Sequence, residues 1–314
     1  MKPTSHKVSI FLFLITLFVA TQSVQCQNRN PYNIELVTAD IDNFWVAYDK
    51  SLPDYDPNAF KDLYIKKGTK GLKGFMNGRI KNAENLVYFI KKRPKYYASL
   101  REITPKISEQ EEKIKSYLSK MQELYPDAIF PNVYFVIGAM NSGGTASKHG
   151  LIIGADMYGL TPTMPKDELS KWHLSVLKKV DEIPHIVVHE LVHFQQKYDG
   201  GSLLKASIKE GSADFIAELA SGKHINDQVH EFANQREEEL WNEFKGRMME
   251  KNYDGWLYSS QKGRPNDLGY WMGYKIVKSY YDNAEDKKHA IADIIKIKDF
   301  EAFLEASRYP EKFN

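Results

Sequence analysis

The spacing of apolar residues predicts helices through most of the chain. Over residues 38–123, apolar side chains recur three and four positions apart, as at Ile107, Ile114 and Leu118, with charged residues between them. Prolines interrupt this spacing, and each can begin or end a helix. After Pro165 the helical spacing resumes and continues almost to the end of the chain.

A different pattern occupies the segment between these two helical parts. The runs 133–137 and 151–153 are β-branched and aromatic, and an Asn-Ser-Gly-Gly-Thr sequence at 141–145 separates them. This arrangement predicts a short antiparallel pair of strands joined by a flexible loop. The expected fold class is therefore α+β, predominantly α.

The first residues have the pattern of an export signal. Lys2 and Lys7 flank the start of an apolar run, residues 8–20, which is too short to span a bilayer as a helix. No later stretch approaches the roughly 20 apolar residues that a spanning helix needs. We therefore expect a signal peptide at 1–26 and a protein that works outside the cytoplasm: in the periplasm, in the cell envelope or secreted.

The end of this signal has two interpretations. Small residues at Thr21 and Ser23 suit an ordinary signal peptidase, whereas Cys26 could be the lipidated first residue of a bacterial lipoprotein. Gln25 fits the second interpretation poorly, because lipoprotein signals prefer a small residue before the cysteine. A lipid anchor through Cys26 would tether the protein without inserting it.

Charge and cysteine content exclude several classes of protein. The chain has 43 Lys and Arg against 41 Asp and Glu, and the excess lies in the signal at Lys2 and Lys7. A balanced charge gives no electrostatic reason to expect a nucleic-acid partner. The single cysteine excludes an internal disulfide and a four-thiolate zinc site.

The sequence His-Glu-Leu-Val-His at 189–193 is the strongest candidate for chemistry. Two histidines four positions apart share one face of a helix, where both can bind one Zn²⁺ ion. Glu190 would then lie beside the metal as a base for a bound water. The neighbouring residues are apolar almost all round, and buried imidazoles need partners, so His189 and His193 are better explained as ligands than as surface residues. His185, about 12 Å along the helix from His193, is too far to join them and would begin the helix or line the pocket.

A third zinc ligand is expected from the next helix. An antiparallel return after Gly200 and Gly201 can bring Glu210 opposite the two histidines. The alternative is a capping box formed with Ser207, because Ser followed three positions later by Glu typically starts a helix. Asp214, one turn beyond Glu210, can accept the second N–H of a ligating histidine, and its alternative is a solvent-facing carboxylate.

These residues resemble those of a known clan of enzymes. The pair His189-Glu190-x-x-His193 and Glu210-x-x-x-Asp214 is similar to the gluzincin, or thermolysin-like, zinc metallopeptidases. The segment 268–274, Leu-Gly-Tyr-Trp-Met-Gly-Tyr, resembles a family of uncharacterised exported bacterial proteins described as predicted zinc-dependent proteases. The resemblance covers roughly residues 133–309.

The resemblance implies a zincin fold, in which a small sheet precedes the active-site helix and offers an edge strand to a peptide backbone. Residues 151–155, with Leu151 and Ile152, are the candidate for this strand, and Gly144, Thr145 and Ala146 would shape the adjacent rim.

Related enzymes also use a Tyr or His that donates to the reacting carbonyl oxygen. Tyr270 and Tyr274 share one helix face and are candidates for this role, and core packing is the alternative for both. Gly269 and Gly273 would let their helix approach its neighbour closely. Arg264 is a further candidate for holding a substrate carbonyl or carboxylate.

The expected function is that of a zinc-dependent endo- or exopeptidase with one Zn²⁺ ion, a peptide or protein substrate and Glu190 as general base. The expected organisation is a signal peptide at 1–26, a helical region at 27–125 that packs on the catalytic part, and a metallopeptidase domain at 126–314. One alternative is an envelope lipoprotein that keeps the zincin scaffold and has an assembly or binding role in a secretion or motility apparatus. A helical solute-binding protein without a metal is a third interpretation.

Overall fold

The computed structural model describes residues 28–198, 201–224, 226–259, 261 and 263–313. The expected signal peptide, Cys26 and Gly200 lie outside the described residues. The α-helices are α1 (Ala39–Ser51), α2 (Pro57–Phe60), α3 (Lys70–Phe75), α4 (Ala83–Lys92), α5 (Pro94–Ser99), α6 (Glu111–Leu124), α7 (Lys171–Val176), α8 (Ile183–Gln195), α9 (Leu203–Ser221), α10 (Asp227–Asn234), α11 (Glu237–Arg247), α12 (Leu268–Asn283), α13 (Lys287–Ile295) and α14 (Phe300–Ala306). Short 3₁₀ or π turns occupy Pro31–Asn33, Lys61–Ile65, Met76–Ile80, Leu100–Glu102, Thr104–Gln110, Ala155–Met157, Val180–Glu182 and Tyr309–Phe313.

A small mixed sheet lies among these helices. Its strands are β1 (Leu36–Val37), β2 (Val133–Val136), β3 (Gly144–Ser147) and β4 (Gly150–Gly154), in the spatial order β1-β2-β4-β3. The first three strands in this order run parallel, and β3 pairs antiparallel with β4. Every residue of β2 and β4 is buried, whereas β3 is half-buried at the edge of the sheet. The expected fold class, α+β and mostly helical, is confirmed.

The expected strand pairing is wrong. Residues 133–137 and 151–153 contribute parallel strands, β2 and β4, and the segment expected to be a loop contains the strand β3. The sequence of β3, Gly-Thr-Ala-Ser, lacks the β-branched apolar residues that identify buried strands, because an edge strand keeps one side accessible to solvent. Strand β3 runs opposite to β2 and β4. The chain therefore turns back before β3 and again after it, so that β4 runs in the same direction as β2.

Helix α8 is buried between the sheet and other helices. Eleven of its 13 residues are buried, and it contacts β3, β4, α6 and α9. An apolar surface all round a helix predicts such a central position. Among the described helices, none is both long enough and apolar enough for a bilayer span.

Helices α9 and α12 pack at unusually short range through glycines. A Cβ atom added to Gly273 would lie 1.8 Å from the carbonyl oxygen of Ser207, and one added to Gly211 would lie 2.0 Å from the backbone nitrogen of Tyr274. Since backbone atoms cannot move aside as a flexible side chain can, only glycine fits at these two positions. The contact fixes α9, the helix that carries Glu210, against α12.

We predict that Gly273→Ala destabilises the protein by about 1–3 kcal/mol or more, because the added methyl group forces the two backbones apart. Gly246→Ala is the matched control: Gly246 is exposed on α11 and an added Cβ atom meets nothing within 4 Å. The control should be neutral or stabilising by up to roughly 1 kcal/mol. Denaturant unfolding measures both changes, and equal midpoints for the two variants would contradict the inferred role of the contact.

Candidate functional site

The two histidines of the 189–193 motif face each other on α8. Helix α8 begins at Ile183 with Pro184 in its first turn, a position where the missing proline N–H is tolerated. The one-turn spacing brings His189 Nε2 to 3.0 Å from His193 Nε2. His189 is buried and the side chain of His193 is 11% exposed, so both rings lie at the base of an opening and not on the outer surface.

Helix α9 contributes a carboxylate to the same point. Glu210 Oε2 lies 3.0 Å from His193 Nε2 and 3.7 Å from His189 Nε2. Glu210 lies inside α9, since the helix begins at Leu203 and the hydroxyl of Ser202 accepts the N–H of Lys205. The alternative of a capping box at Ser207 is therefore wrong: that residue is buried in the second turn, and Ser202 is the N-cap.

Neighbouring side chains determine which ring nitrogens carry hydrogen. The amide of Gln196 donates to the carbonyl oxygen of Lys209 at 3.1 Å, so its oxygen faces His193 Nδ1 at 2.8 Å and must accept from it. His189 Nδ1 lies 2.8 Å from Asp214 Oδ1, close enough for the carboxylate to interact with an N–H at this position. Asp214 is buried, so the alternative of a solvent-facing carboxylate is wrong.

This arrangement fits a metal ion. With hydrogen on both Nδ1 atoms, the two Nε2 atoms and Glu210 Oε2 can each point a lone pair at the same place, as the ligands of one ion do; where a histidine also carries hydrogen at Nε2, that N–H donates to Glu210 instead. The ligand atoms of His189, His193 and Glu210 all lie within 4.8 Å of one another, so this group could hold a metal ion. Nitrogen and carboxylate donors of this kind suit zinc and other divalent transition metals.

The pKa values of His189 and Glu210 also indicate that positive charge is favoured between these side chains. Burial alone lowers the pKa of His189, but hydrogen bonds to Asp214 and Glu210 outweigh it and raise the pKa to about 10. Burial opposes ionisation of Glu210, yet the charge of His193 and bonds to both histidines hold the pKa of Glu210 well below its usual range. The site therefore favours an ionised Glu210 facing a positive charge.

Glu190 lies beside this group against the edge strand. Burial raises its pKa, while the nearby His193 and His189 oppose the rise. A Cβ atom added to Gly144 would lie 2.5 Å from Glu190 Oε1, so a glycine at this position of β3 leaves room for the carboxylate.

The group opens into a cavity of about 430 Å³. Gly144, Thr145 and Ala146 of β3 line one side of the cavity, and the expected strand residues Leu151 and Ile152 do not, because they lie in the buried strand β4. The edge strand is therefore β3 and not residues 151–155.

The two candidate tyrosines, Tyr270 and Tyr274, lie in different surroundings. Tyr270 lines the cavity, and its ring stacks on His189 with 6.3 Å between the ring centres. Tyr274 instead donates to Glu218 at 2.6 Å. Glu218 also lies 3.2 Å from His224 Nδ1.

Arg264 and His185 lie away from the cavity. Arg264 forms an ion pair with Glu243 at 2.9 Å and covers the Trp256 ring. His185 is buried near Ser221, and burial lowers its pKa to about 4. Neither residue contacts the candidate ligands His189, His193 and Glu210.

Several residues of the site have no distinctive sequence signal. Tyr258 donates to Glu210 Oε1 at 2.8 Å from a loop with no periodic pattern. Arg79, Lys197 and Lys209 reach the cavity from separate segments. Gln196 is the exception, because its position three residues after His193 places it within reach of that ring.

One family model matches residues 27–311, and its description is Gliding motility protein GldB, a lipoprotein family. No curated protein and no solved structure matches the chain. The match confirms the expected location in the cell envelope with a lipid anchor, although Cys26 itself lies outside the described residues.

The same match corrects the expected activity. The resemblance to gluzincin-type predicted zinc-dependent proteases, and the peptidase function, the hydrolase class and the peptide substrate inferred from it, are wrong: the family that covers nearly the whole chain is one of motility proteins. The physical reason is that the 189–193 spacing specifies how a helix presents metal ligands. It does not specify what the metal is used for.

We predict that Gln196→Ala lowers the affinity for Zn²⁺ by about 10- to 100-fold, because it removes the acceptor that orients His193. Gln228→Ala, an exposed substitution on α10, is the control and should leave the affinity unchanged. Competition with a chelating dye measures both affinities. Equal affinities for Gln196→Ala and the unchanged protein would show that His193 needs no such support.

Proposed function

Because the chain belongs to the gliding motility protein GldB family, we propose that it is a binding or assembly component of a motility apparatus in the cell envelope. The observation that supports this proposal is the length of the match, which runs over residues 27–311 and so includes the sheet, α8 and α9. A peptide or protein segment is then a binding partner of this chain and not its substrate.

We further propose that the site holds one Zn²⁺ ion on a zincin-like scaffold. The ligands are His189, His193 and Glu210, a set of two imidazoles and one carboxylate that zinc sites commonly use. The bound ion supplies a Lewis acid that attracts oxygen or nitrogen donors of a partner. Gln196 and Asp214 hold the two imidazoles in the required tautomer.

The position of the site supports a role in binding. The ligand group is buried and lines a cavity that the edge strand β3 borders, so a partner that enters the cavity can reach it. Helices α8 and α9 already pack on each other, and an ion held by ligands from both would add a further link between them. Metal binding should therefore contribute to the free energy of folding.

Gliding assays in the producing cell test this proposal. We predict that deletion of the gene abolishes colony spreading and that Glu190→Gln restores it to the level of the unchanged gene, because binding needs no proton transfer. His193→Ala should lose the metal and fail to restore spreading, since it removes one of the three ligands.

Two measurements on the same strains keep the outcomes distinct. Zinc content of the purified proteins should be near equal for Glu190→Gln and the unchanged protein, and low for His193→Ala. Immunoblots of the envelope fraction control for the amount of each variant. Normal spreading of the deletion strain would refute the motility role, and normal spreading of His193→Ala at low zinc content would refute the role of the metal.

A further inference from the structure

Three cationic side chains line the cavity that contains the ligand group. Arg79 comes from the turn Met76–Ile80, Lys197 follows α8, and Lys209 lies on α9. Within the described parts of the chain, none of the three forms an ion pair, whereas Arg264 and Lys275 do so with Glu243 and Glu237. These three cations, here called the cationic rim, have no carboxylate within ion-pair distance among the described residues, and Arg79 acts on Glu190 only at longer range.

The charge balance of the cavity favours an anion. Its lining includes two carboxylates, Glu190 and Glu210, against the three cations of the rim. Glu210 is already engaged by His193 and by the hydroxyl of Tyr258. A divalent ion on the ligand group adds two positive charges, which leaves the cavity with three in excess.

The three cations approach from different directions, and this distinguishes the cavity from an ordinary charged surface. A single helix face rich in lysine would be solvated and would need no partner. Here a turn, a loop and a helix each contribute one cation around the same opening, together with the backbone of β3. Such convergence is typical of a site that surrounds a ligand.

We propose that this cavity binds an anionic oxygen ligand, a carboxylate or phosphate group, between the metal site and the cationic rim. The inference rests on the proposed function, because it names the class of ligand that the same site would take. A volume of about 430 Å³ accommodates a small dicarboxylate, a phosphate or one or two acidic side chains of a partner protein. The guanidinium of Arg79 suits both carboxylate and phosphate through paired hydrogen bonds.

Calorimetric titration of the zinc-loaded protein tests the proposal. The probes are inorganic phosphate, succinate and a capped Glu-Glu-Glu peptide, with the capped Gln-Gln-Gln peptide as the neutral control. We expect at least one anionic probe to bind, the neutral peptide to show no binding, and the affinity to fall as NaCl is raised. Binding of the small anions indicates a free metabolite or phosphate, and binding of the acidic peptide alone indicates a protein partner.

A pair of charge-matched variants identifies the residues responsible. The double variant Lys197→Ala/Lys209→Ala should lose roughly tenfold or more in affinity for the anionic probe, because each lost contact is a hydrogen bond to a charged group. Lys245→Ala/Lys251→Ala removes the same charge from exposed positions outside the cavity and should bind as the unchanged protein does.

The zinc content of each sample separates failure of this inference from failure of the proposed metal site. Zinc-loaded protein that binds none of the anionic probes would overturn the inference while leaving the metal site intact. Equal losses in the two double variants would also overturn it, since the effect would then be one of overall charge. Protein that takes up no zinc would instead refute the metal site itself.

Discussion

The site depends on positive charge held between two imidazoles and one carboxylate. His189 Nε2, His193 Nε2 and Glu210 Oε2 lie 3.0–3.7 Å apart, and a proton or a metal ion between them compensates the negative charge of Glu210. Asp214 and Gln196 lie against the Nδ1 atoms of His189 and His193, and so leave both Nε2 atoms facing Glu210. The position of Glu210 in turn depends on α9, and α9 is held by its glycine contacts with α12. The packing of α9 on α12 thus determines where Glu210 lies in the candidate metal site.

The sequence predicts the parts of this site that follow local helical geometry. Four positions separate His189 from His193 and Glu210 from Asp214, and in each pair the spacing fixes a shared face before any tertiary contact is known. The apolar surroundings of 189–193 also predict that this helix is buried, as α8 is. The same reasoning predicts the helical first third, where apolar and charged residues alternate with the period of a helix.

The remaining features depend on contacts between distant segments. Strand β3 consists of small and polar residues, and only its pairing with β4 makes it a strand. Tyr270 and Tyr274 share a helix face, but four residues along a helix are about 6 Å, so only the first reaches the cavity while the second meets Glu218. Tyr258 and Arg79 come from irregular segments, whose direction no periodic pattern specifies.

Glu190 shows that a sequence motif can specify where a carboxylate lies without specifying what the protein does. Its place next to a ligating histidine puts a carboxylate beside the metal in any protein with this spacing, whatever the protein does. A role in binding needs no proton transfer at this carboxylate, so its presence does not by itself identify a hydrolase. Replacing Glu190 with glutamine changes a charge without removing any of the three candidate ligands, His189, His193 and Glu210, so this substitution separates a role in proton transfer from a role in holding an ion.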